Sequence, residues 1–377
     1  MTSGAPTPAH RAALRELADA AAEHDHDGAS PAALCEPLRR HGLFTDVLPI
    51  EAGGRGWATD TAATDELLGW LLGLGAADLS AGRLFEGHLN AVKLVWRFGD
   101  EAQRRDLVED VRAGAVAGVW NAEAPPGLRL EPPAAGRTGR LAGGKIFCSG
   151  LGVVTRPVFT ARAAEGGPVM LAPRALRPAA IDLSAWTVQG VRATATGSVD
   201  LTGVEVEPAD VVGGPGDVYA SPLFKGGAWR FAALHAGAVG RLGALAREEL
   251  RARGRDGDPH QTARLGALAI AAETAELWAA RAAHAAEDGA LPPEAADAYV
   301  NLARTAVERA AMDAVALAQR ALGLAALTRP SPVERIARDL LTYLRQPFPD
   351  AALDEAARHL SARPGPPPWS RAWKPAA

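Results

Sequence analysis

The chain has 377 residues, 48% of them apolar and 22% charged, with a formal net charge of −4. This length allows two or three packed units, and this composition is typical of ordinary globular proteins. Because the charge balance is slightly acidic, neither nucleic acid nor an anionic membrane is expected as the main partner. Cys35 and Cys148 form neither a metal-binding spacing nor a disulfide framework.

Residues 1–115 carry a helical pattern, which predicts an N-terminal helical domain. The segment HDHDG at 24–28 has metal-binding residue types, but its place between helices favours a solvated loop, and no metal site is predicted. The chain opens on a helical pattern instead of a signal segment, and its most apolar run, 67–77, is shorter than the roughly 20 residues that a membrane helix needs. We therefore expect a cytoplasmic protein with no membrane partner.

Between residues 116 and 218 the pattern changes to short runs separated by glycine and proline. Runs such as RLAGGKIFCSG and GSVDLTGVEVE predict β-strands. Parallel strands are usually joined by helices, and no helical pattern fits between these runs. A central antiparallel β-barrel or sandwich is therefore predicted.

Alanine-rich helical patterns return over 219–362 and predict a C-terminal four-helix bundle. Residues 363–377 are rich in proline, which predicts an extended arm. The whole chain is thus expected to be an α+β multi-domain protein. It contains no phosphate-binding glycine loop and no nucleophile elbow, so these common motifs do not indicate its function.

The order of helices, strands and helices, together with several segments, resembles the acyl-CoA dehydrogenase family of flavoproteins. The segments are GRLAGGKIFCSGLG, VQGVRATATGSVDLTGVEVEPADVVG, SPLFKGGAWRFAALHAGAVGRLGALA, ALAQRALGLAAL and PVERIARDL. The resemblance covers nearly the whole chain. It implies an FAD cofactor and a homodimer or homotetramer, because in this family the FAD site lies between the bundles of two subunits.

The same resemblance assigns residues to the cofactor. Phe147 and Ser149 match positions beside the flavin ring, where a hydroxyl group can bond to a ring nitrogen or carbonyl. One segment matches the strand and loop under the pyrimidine side, where the family has Thr-Glu-Pro; it consists of Asn121, Ala122 and Glu123. Gln319 and Gly323 match positions that meet the adenine half. Arg253 is the candidate for the pyrophosphate, with Arg251 and Arg255 as alternatives.

The predicted helix at 82–99 has a polar stripe that the resemblance places at the floor of an acyl pocket. Glu86 and Asn90 are four residues apart and could bind a polar end of the substrate. His88 could act as an acid or base, because an imidazole titrates near neutral pH. The alternative is a solvated face with a core histidine.

The resemblance also shows what is missing. The usual catalytic glutamate of the family aligns at or next to Pro347, in the segment RQPFPD at 345–350. A minority of the family carries its base on the first bundle helix, at the position of Arg230. We assign Trp229 and Arg230 to substrate binding, with a salt bridge inside the bundle as the alternative for the arginine.

Three functions follow from this. The first is FAD-dependent α,β-dehydrogenation of an acyl thioester, on coenzyme A or a carrier protein, with Glu86 or His88 as a relocated base. The second is a flavin monooxygenase on the same fold, in which His88 and Ser149 assist the reaction with oxygen and a flavin reductase or other electron-transfer partner is needed. The third is an inactive relative that holds an acyl or flavin ligand or acts as a scaffold.

Overall fold

The computed structural model describes residues 6–132, 138–164, 167–362 and 365–370. The chain divides into two compact units, one ending at Ala220 and the other beginning at Ser221. The predicted helical range 1–115 and the predicted strand range 116–218 therefore lie in one unit, and the boundary predicted at 218 falls close to the division between the units.

Six helices form the first part of the amino-terminal unit. Several begin at side chains that accept from the free backbone N–H groups of the first turn: Thr7 accepts from His10 N, Asp78 from Ala81 N, and Asp100 from Gln103 N. The helices are α1 (Pro8–Ala20), α2 (Pro31–Arg40), α3 (Leu43–Asp46), α4 (Thr64–Ala77), α5 (Leu79–Phe98) and α6 (Glu101–Arg112).

The described residues of the same unit contain ten strands in two sheets. They are β1 (Val116–Trp120), β2 (Arg129–Glu131), β3 (Gly139–Ala142), β4 (Gly144–Cys148), β5 (Val154–Ala163), β6 (Pro168–Leu171), β7 (Ala180–Asp182), β8 (Gly197–Asp200), β9 (Glu205–Val206) and β10 (Val211–Val212). The larger sheet has the order β10-β6-β5-β2-β3-β9, with β1 also paired to β5, and the smaller has the order β4-β8-β7. Trp120, Cys148, Phe159 and Val199 belong to the apolar core of these strands.

The predicted β domain is confirmed, but its strands are not all antiparallel. β1 and β2 each run parallel to β5, whereas the other pairings are antiparallel. The prediction assumed that a parallel pair requires a helix between its strands. Here the chain between β1 and β5 passes through further strands instead, which also returns it to the same end of the sheet.

His88 on α5 joins three elements of this unit. Its Nε2 donates to the carbonyl of Phe44 in α3 at 2.9 Å, and its Nδ1 accepts from Ala117 N of β1 at 2.9 Å. The side chain is fully buried, and this burial lowers its pKa to about 4. The predicted acid–base role is therefore not supported by the geometry, since both ring nitrogens bond to the backbone and no part of the ring is exposed.

The carboxy-terminal unit is helical. Its helices are α7 (Leu223–Gly226), α8 (Ala228–Ala252), α9 (Pro259–Glu287), α10 (Pro293–Leu322), α11 (Pro332–Tyr343) and α12 (Pro349–Ser361). Alanines such as Ala275, Ala279 and Ala303 are fully buried where the three long helices pack together, because small side chains let helix axes approach closely. The segment Pro293–Leu327 is apolar and long enough to cross a membrane. Length and composition alone are weak evidence for a membrane span, because the core helix of a bundle has the same properties, and this segment contains the central helix of this bundle.

Of the predicted arm 363–377, residues 365–370 are within the described part of the chain, and the others lie outside it. These residues fold back on the bundle. The ring of Trp369 lies 5.2 Å from that of Tyr299, and Arg281 Nη2 donates to the Trp369 carbonyl at 2.7 Å.

Trp229 and Arg230 are buried inside the bundle and share one partner. The indole Nε1 of Trp229 donates to Glu287 Oε1 at 3.0 Å, and Arg230 Nη2 donates to the same oxygen at 2.8 Å. The two side chains are 0% and 3% exposed. The substrate-binding role predicted for them is thus replaced by the alternative, a salt bridge that links α8 to α9.

Replacing Glu287 with alanine is expected to lower the free energy of unfolding by about 3–5 kcal/mol, because it removes the carboxylate that Trp229 and the buried Arg230 share. Glu355→Ala is the matched control, since Glu355 pairs with Lys225 at the surface and its loss should cost less than about 1 kcal/mol. Urea unfolding of both variants measures the difference. Equal losses would show that the Arg230 pair is no more important than a surface pair.

Acid should destabilise the protein through His88. Because the pKa is about 4 in the folded state and 6.5 in the unfolded state, the unfolded chain binds more protons between these values, and stability is lost as the pH falls. The variant His88→Gln keeps one donor and one acceptor but does not titrate. Between pH 7 and 4.5, the free energy of unfolding of the wild type should fall by about 2–3 kcal/mol more than that of this variant. Parallel pH profiles in urea unfolding would contradict this.

Candidate functional site

The end of β4 brings an exposed aromatic ring beside a hydroxyl group. The pairing of β4 with β8 is irregular between Lys145 and Cys148, and Phe147 in this bulge has a φ of +52°. Bulges of this kind re-aim side chains, and here the Phe147 ring is 60% exposed, although large apolar residues are usually buried. Ser149 follows it at the start of the next turn and is half-buried.

The segment 191–196 packs directly against this turn. Gly150 N donates to the Thr194 carbonyl at 2.8 Å, and Leu151 N donates to the Ala195 carbonyl at 3.1 Å. Val191 and Ala195 have φ values of +48° and +41°, a region that costs a non-glycine residue about 1–3 kcal/mol. Strain of this kind persists only where the surroundings hold it, and it is concentrated at functional sites.

Arg192 anchors this strained segment to the loop that precedes α2. Its Nε donates to Asp25 Oδ1 at 3.1 Å, and its Nη1 lies 3.3 Å from Asp27 Oδ1. The motif HDHDG, considered above as a possible metal site, thus supplies two carboxylates to a guanidinium group. Among the residues that the structure describes, no cluster of His, Cys, Asp and Glu could hold a metal ion.

Three hydroxyl groups form a continuous chain at this place. Thr196 Oγ1 lies 2.9 Å from Ser149 Oγ and 2.8 Å from Thr194 Oγ1, which in turn lies 2.9 Å from the Val191 carbonyl oxygen. Both threonines are almost fully buried, at 1% and 2% exposed. Trp120 Nε1 donates to the Ser149 carbonyl at 3.0 Å and holds the turn against β1.

The predicted pyrimidine-side segment is held by a buried lysine on β4. The Lys145 side chain is 0% exposed; it pairs with Glu123, and its Nζ donates to Thr160 Oγ1 at 3.1 Å. Thr160 Oγ1 donates to Asn121 Oδ1 at 2.6 Å, and Ile146 N donates to the Ala122 carbonyl at 3.0 Å. Burial lowers the pKa of the lysine, which its carboxylate partner partly offsets.

These contacts bring the two predicted flavin-ring segments, 121–123 and 147–149, together on one side of the β unit. An exposed aromatic ring, a half-buried hydroxyl and several fixed backbone groups suit a flat heterocycle with hydrogen-bonding edges. The residues therefore fit a flavin ring, although Glu123 itself is occupied by Lys145 and by Leu128 N at 3.3 Å.

The residues predicted for the adenine and pyrophosphate end also meet, in the carboxy-terminal unit. Arg253 Nη1 donates to the Leu322 carbonyl at 3.3 Å, beside Gly323, and the Gly323 N–H donates to the Gln319 carbonyl. Arg253 also donates to Glu249 at 2.7 Å, so part of its guanidinium group is engaged within the chain. The assignment of this group to a cofactor stays a prediction.

The segment 345–350 forms the corner between α11 and α12. Arg304 Nη2 donates to the carbonyls of Gln346 and Pro347 at 2.9 and 2.8 Å, and its guanidinium lies 4.9 Å from the ring centre of Phe231. Phe348 is 81% exposed with a φ of +45°. The first acidic residue after the corner, Asp350, lies in the first turn of α12.

On α5, Glu86 and Asn90 bond to each other, as their spacing of four residues predicts, and Glu86 also accepts from Arg83 Nη1 at 2.8 Å. Glu86 is only 5% exposed. Its carboxylate is therefore already satisfied by two donors of its own helix, and a catalytic or substrate-binding role for either residue stays a prediction.

Five contributors were not among the predicted site residues: Lys145, Thr160, Arg192, Thr194 and Thr196. The alternation of β4 could have indicated Lys145, because a lysine at an inward position of a strand must have a buried partner. Nothing local in the sequence indicates Thr160 or the pairing of Arg192 with Asp25, since these contacts join residues far apart in the chain.

We expect Glu123→Ala to lower the free energy of unfolding by about 2–3 kcal/mol, because it leaves the Lys145 ammonium group buried without its carboxylate. The deficit should shrink as the pH rises towards 10.5, because a lowered pKa in the folded state means that the unfolded state binds more protons. Glu205→Ala is the matched control, since its pair with Arg140 is exposed and worth less than about 1 kcal/mol. A pH-independent deficit in urea unfolding would argue against an unpaired ammonium group.

Comparison with curated proteins finds the dibenzothiophene monooxygenase of Rhodococcus erythropolis, which is 30% identical over 209 residues, 52% of this chain and 48% of the relative. The enzyme of the same name from Rhodococcus qingshengii is 29% identical over 205 residues, with the same coverage. The chain thus spans about half the length of the curated relatives that it matches.

Among solved structures, dibenzothiophene monooxygenase from Paenibacillus sp. A11-2 has a TM-score of 0.82 and 24% identity, and covers 96% of this chain and 99% of its own. That enzyme has also been solved with FMN. Butyryl-CoA dehydrogenase from Megasphaera elsdenii has a TM-score of 0.79 and 18% identity, over 94% of this chain and 98% of its own. At these identities the likeness shows the fold.

Two family models match this chain, and together they cover more than half of it. Residues 7–115 match the N-terminal domain of acyl-CoA dehydrogenase, and residues 218–344 match its C-terminal domain. The solved relatives support a flavin as the cofactor and an enzyme as the class of protein. The chain belongs to the acyl-CoA dehydrogenase family.

Proposed function

We propose that this protein is a flavin-dependent monooxygenase that acts on a small organic molecule. The observation that carries the proposal is which residues occupy the two positions where the family resemblance predicts a catalytic base. Gln346 and Pro347 stand at one, and their carbonyls are held by Arg304. Arg230 stands at the other, inside a salt bridge with Glu287. Neither position offers a carboxylate that could remove a proton from an acyl chain.

Monooxygenation does not need such a base. When bound, a reduced flavin supplies the two electrons with which dioxygen is activated, so that one oxygen atom enters the product and the other leaves as water. The chain's own residues have to orient the ring and exclude water. In our proposal Phe147 packs against the ring, Ser149 bonds its edge, and the segment 121–123 supports its pyrimidine side.

The monooxygenases among the named relatives act on dibenzothiophene, an uncharged aromatic molecule that contains sulfur. We propose a substrate of this chemical class. A charged substrate is less well supported, because Arg230, the cation assigned to substrate binding from the sequence, is engaged with Glu287.

Acyl-thioester dehydrogenation remains the second candidate. One observation favours it, the placement of a buried carboxylate, Glu86, on the helix that the resemblance puts at the acyl pocket. It requires that Glu86 exchange its bonds to Arg83 and Asn90 for contact with the substrate. His88 is not a candidate for this base, because its ring is buried and doubly bonded.

The identity of the flavin and the partners are part of the proposal. FAD is the form that the resemblance implies, whereas FMN is the form in one solved relative. A monooxygenase of this kind needs a reductase partner to supply reduced flavin. Self-association is also proposed, because several large apolar side chains of the bundle are exposed: Ile270, Leu277, Met312, Leu324 and Leu327. A cytoplasmic location stays a prediction.

The test supplies the purified protein with FMN or FAD, a flavin reductase with its nicotinamide, labelled dioxygen, and a panel of sulfur heteroaromatic and acyl-thioester compounds. We expect one labelled oxygen atom in a product of the first class. Ser149→Ala should lower the rate by about 10–100-fold, the usual loss for one strong hydrogen bond at the reacting group.

The control is Thr202→Ala, which changes an exposed hydroxyl group in the same unit that accepts from Gly143 N. It should leave the rate within about twofold of wild type. Anaerobic bleaching of the flavin by an acyl thioester, without labelled product from any compound, would favour dehydrogenation over our proposal.

A further inference from the structure

We propose that Thr194 and Thr196 are positioning residues that set the hydrogen-bonding direction of Ser149 towards a bound flavin, and that this direction reverses with the oxidation state of the flavin. This inference rests on the proposed flavin site. The observation behind it is the unbroken chain of three hydroxyl groups that ends at the Val191 carbonyl.

Proton counting gives the chain two directions. Each hydroxyl group has one proton to donate and two lone pairs that accept. In one direction Thr194 donates to Thr196 and Thr196 donates to Ser149, so that Ser149 keeps its own proton for a group outside the chain. In the other direction Ser149 donates to Thr196, Thr196 donates to Thr194, and Thr194 donates to the Val191 carbonyl at 2.9 Å.

The second direction leaves only lone pairs of Ser149 facing outwards. The two arrangements differ by rotation of the three hydroxyl hydrogens about their C–O bonds, and every hydroxyl proton keeps an acceptor in both of them. Ser149 can therefore act as a donor or as an acceptor without leaving a buried polar group unsatisfied, which would otherwise cost about 1–3 kcal/mol.

This property matches the chemistry of a flavin edge. The N5 atom of an oxidised flavin accepts a hydrogen bond, whereas the reduced ring carries a proton there and donates one. A serine alone satisfies the reduced ring poorly, because its own proton then needs a buried acceptor. Thr196, which is 2% exposed, supplies that acceptor. Thr196 then donates to Thr194, and Thr194 donates to the Val191 carbonyl, so that each proton has an acceptor.

The backbone supports the same interpretation. Val191, whose carbonyl ends the hydroxyl chain, and Ala195, which lies between the two threonines, both have positive φ values that a non-glycine residue adopts at a cost. Arg192 is fixed by Asp25 and Asp27. This strained segment places Thr196 against Ser149 and Thr194 against Thr196.

The experiment measures dissociation constants of oxidised flavin in air and of dithionite-reduced flavin under anaerobic conditions, with FMN and FAD in turn. Thr196→Val removes the hydroxyl group and keeps the shape. We expect it to weaken binding of the reduced form relative to the oxidised form by about three- to tenfold. Tenfold corresponds to a midpoint potential lower by about 30 mV for a two-electron couple.

Three further variants make the result specific. Thr196→Ser should restore the wild-type ratio of the two constants, and Thr187→Val, at an exposed threonine of the same unit, should leave the ratio unchanged. In a Ser149→Ala background, Thr196→Val should no longer alter the ratio, because the threonine acts through the serine.

A Thr196→Val variant that changes both constants equally, or neither, would overturn the inference while leaving the flavin site in place. A wild-type protein that binds neither form of either flavin would overturn the inference and the proposed function together. The thermal midpoint and the near-ultraviolet circular dichroism of each variant establish that it is folded.

Discussion

Lys145 is the group on which the arrangement of the candidate site depends. Its ammonium nitrogen is buried in the β unit and reaches Glu123, Thr160 and the carbonyl of Asn121. A buried cation is stable only when its donors are satisfied, so the chain around it has little freedom to move. Because Lys145 itself belongs to β4, the same constraint fixes the strand that carries Phe147 and leads to Ser149.

The sequence was sufficient for the larger features and for some of the site. Period and composition predicted the helical, β and helical zones, and the resemblance assigned both 121–123 and 147–149 to the flavin ring, two segments that the bond from Ile146 N to the Ala122 carbonyl brings together. It was not sufficient to distinguish a core histidine from a catalytic one, since His88 is identified only by its contacts with Phe44 and Ala117. The parallel pairing of β1 and β2 with β5 was missed for a related reason, because it joins strands that are not neighbours in the chain.

Two kinds of polar group can be separated by burial and partners. Arg230 and Glu287 satisfy each other inside the bundle, as Arg192 and Asp25 do in the amino-terminal unit, so both arginines stabilise the fold. Ser149 differs, because it is half-buried at the end of a hydrogen-bonded chain. Several charged side chains were predicted to be functional, whereas the hydrogen-bonded chain that ends at Ser149 consists of neutral hydroxyl groups.

Arg304 on α10 holds the corner between α11 and α12 through main-chain groups. Its partners are the carbonyls of Gln346 and Pro347, and a carbonyl is present whatever side chain the residue carries. A side chain at either of these two positions can therefore be exchanged without removing the hydrogen bonds that join the corner to α10.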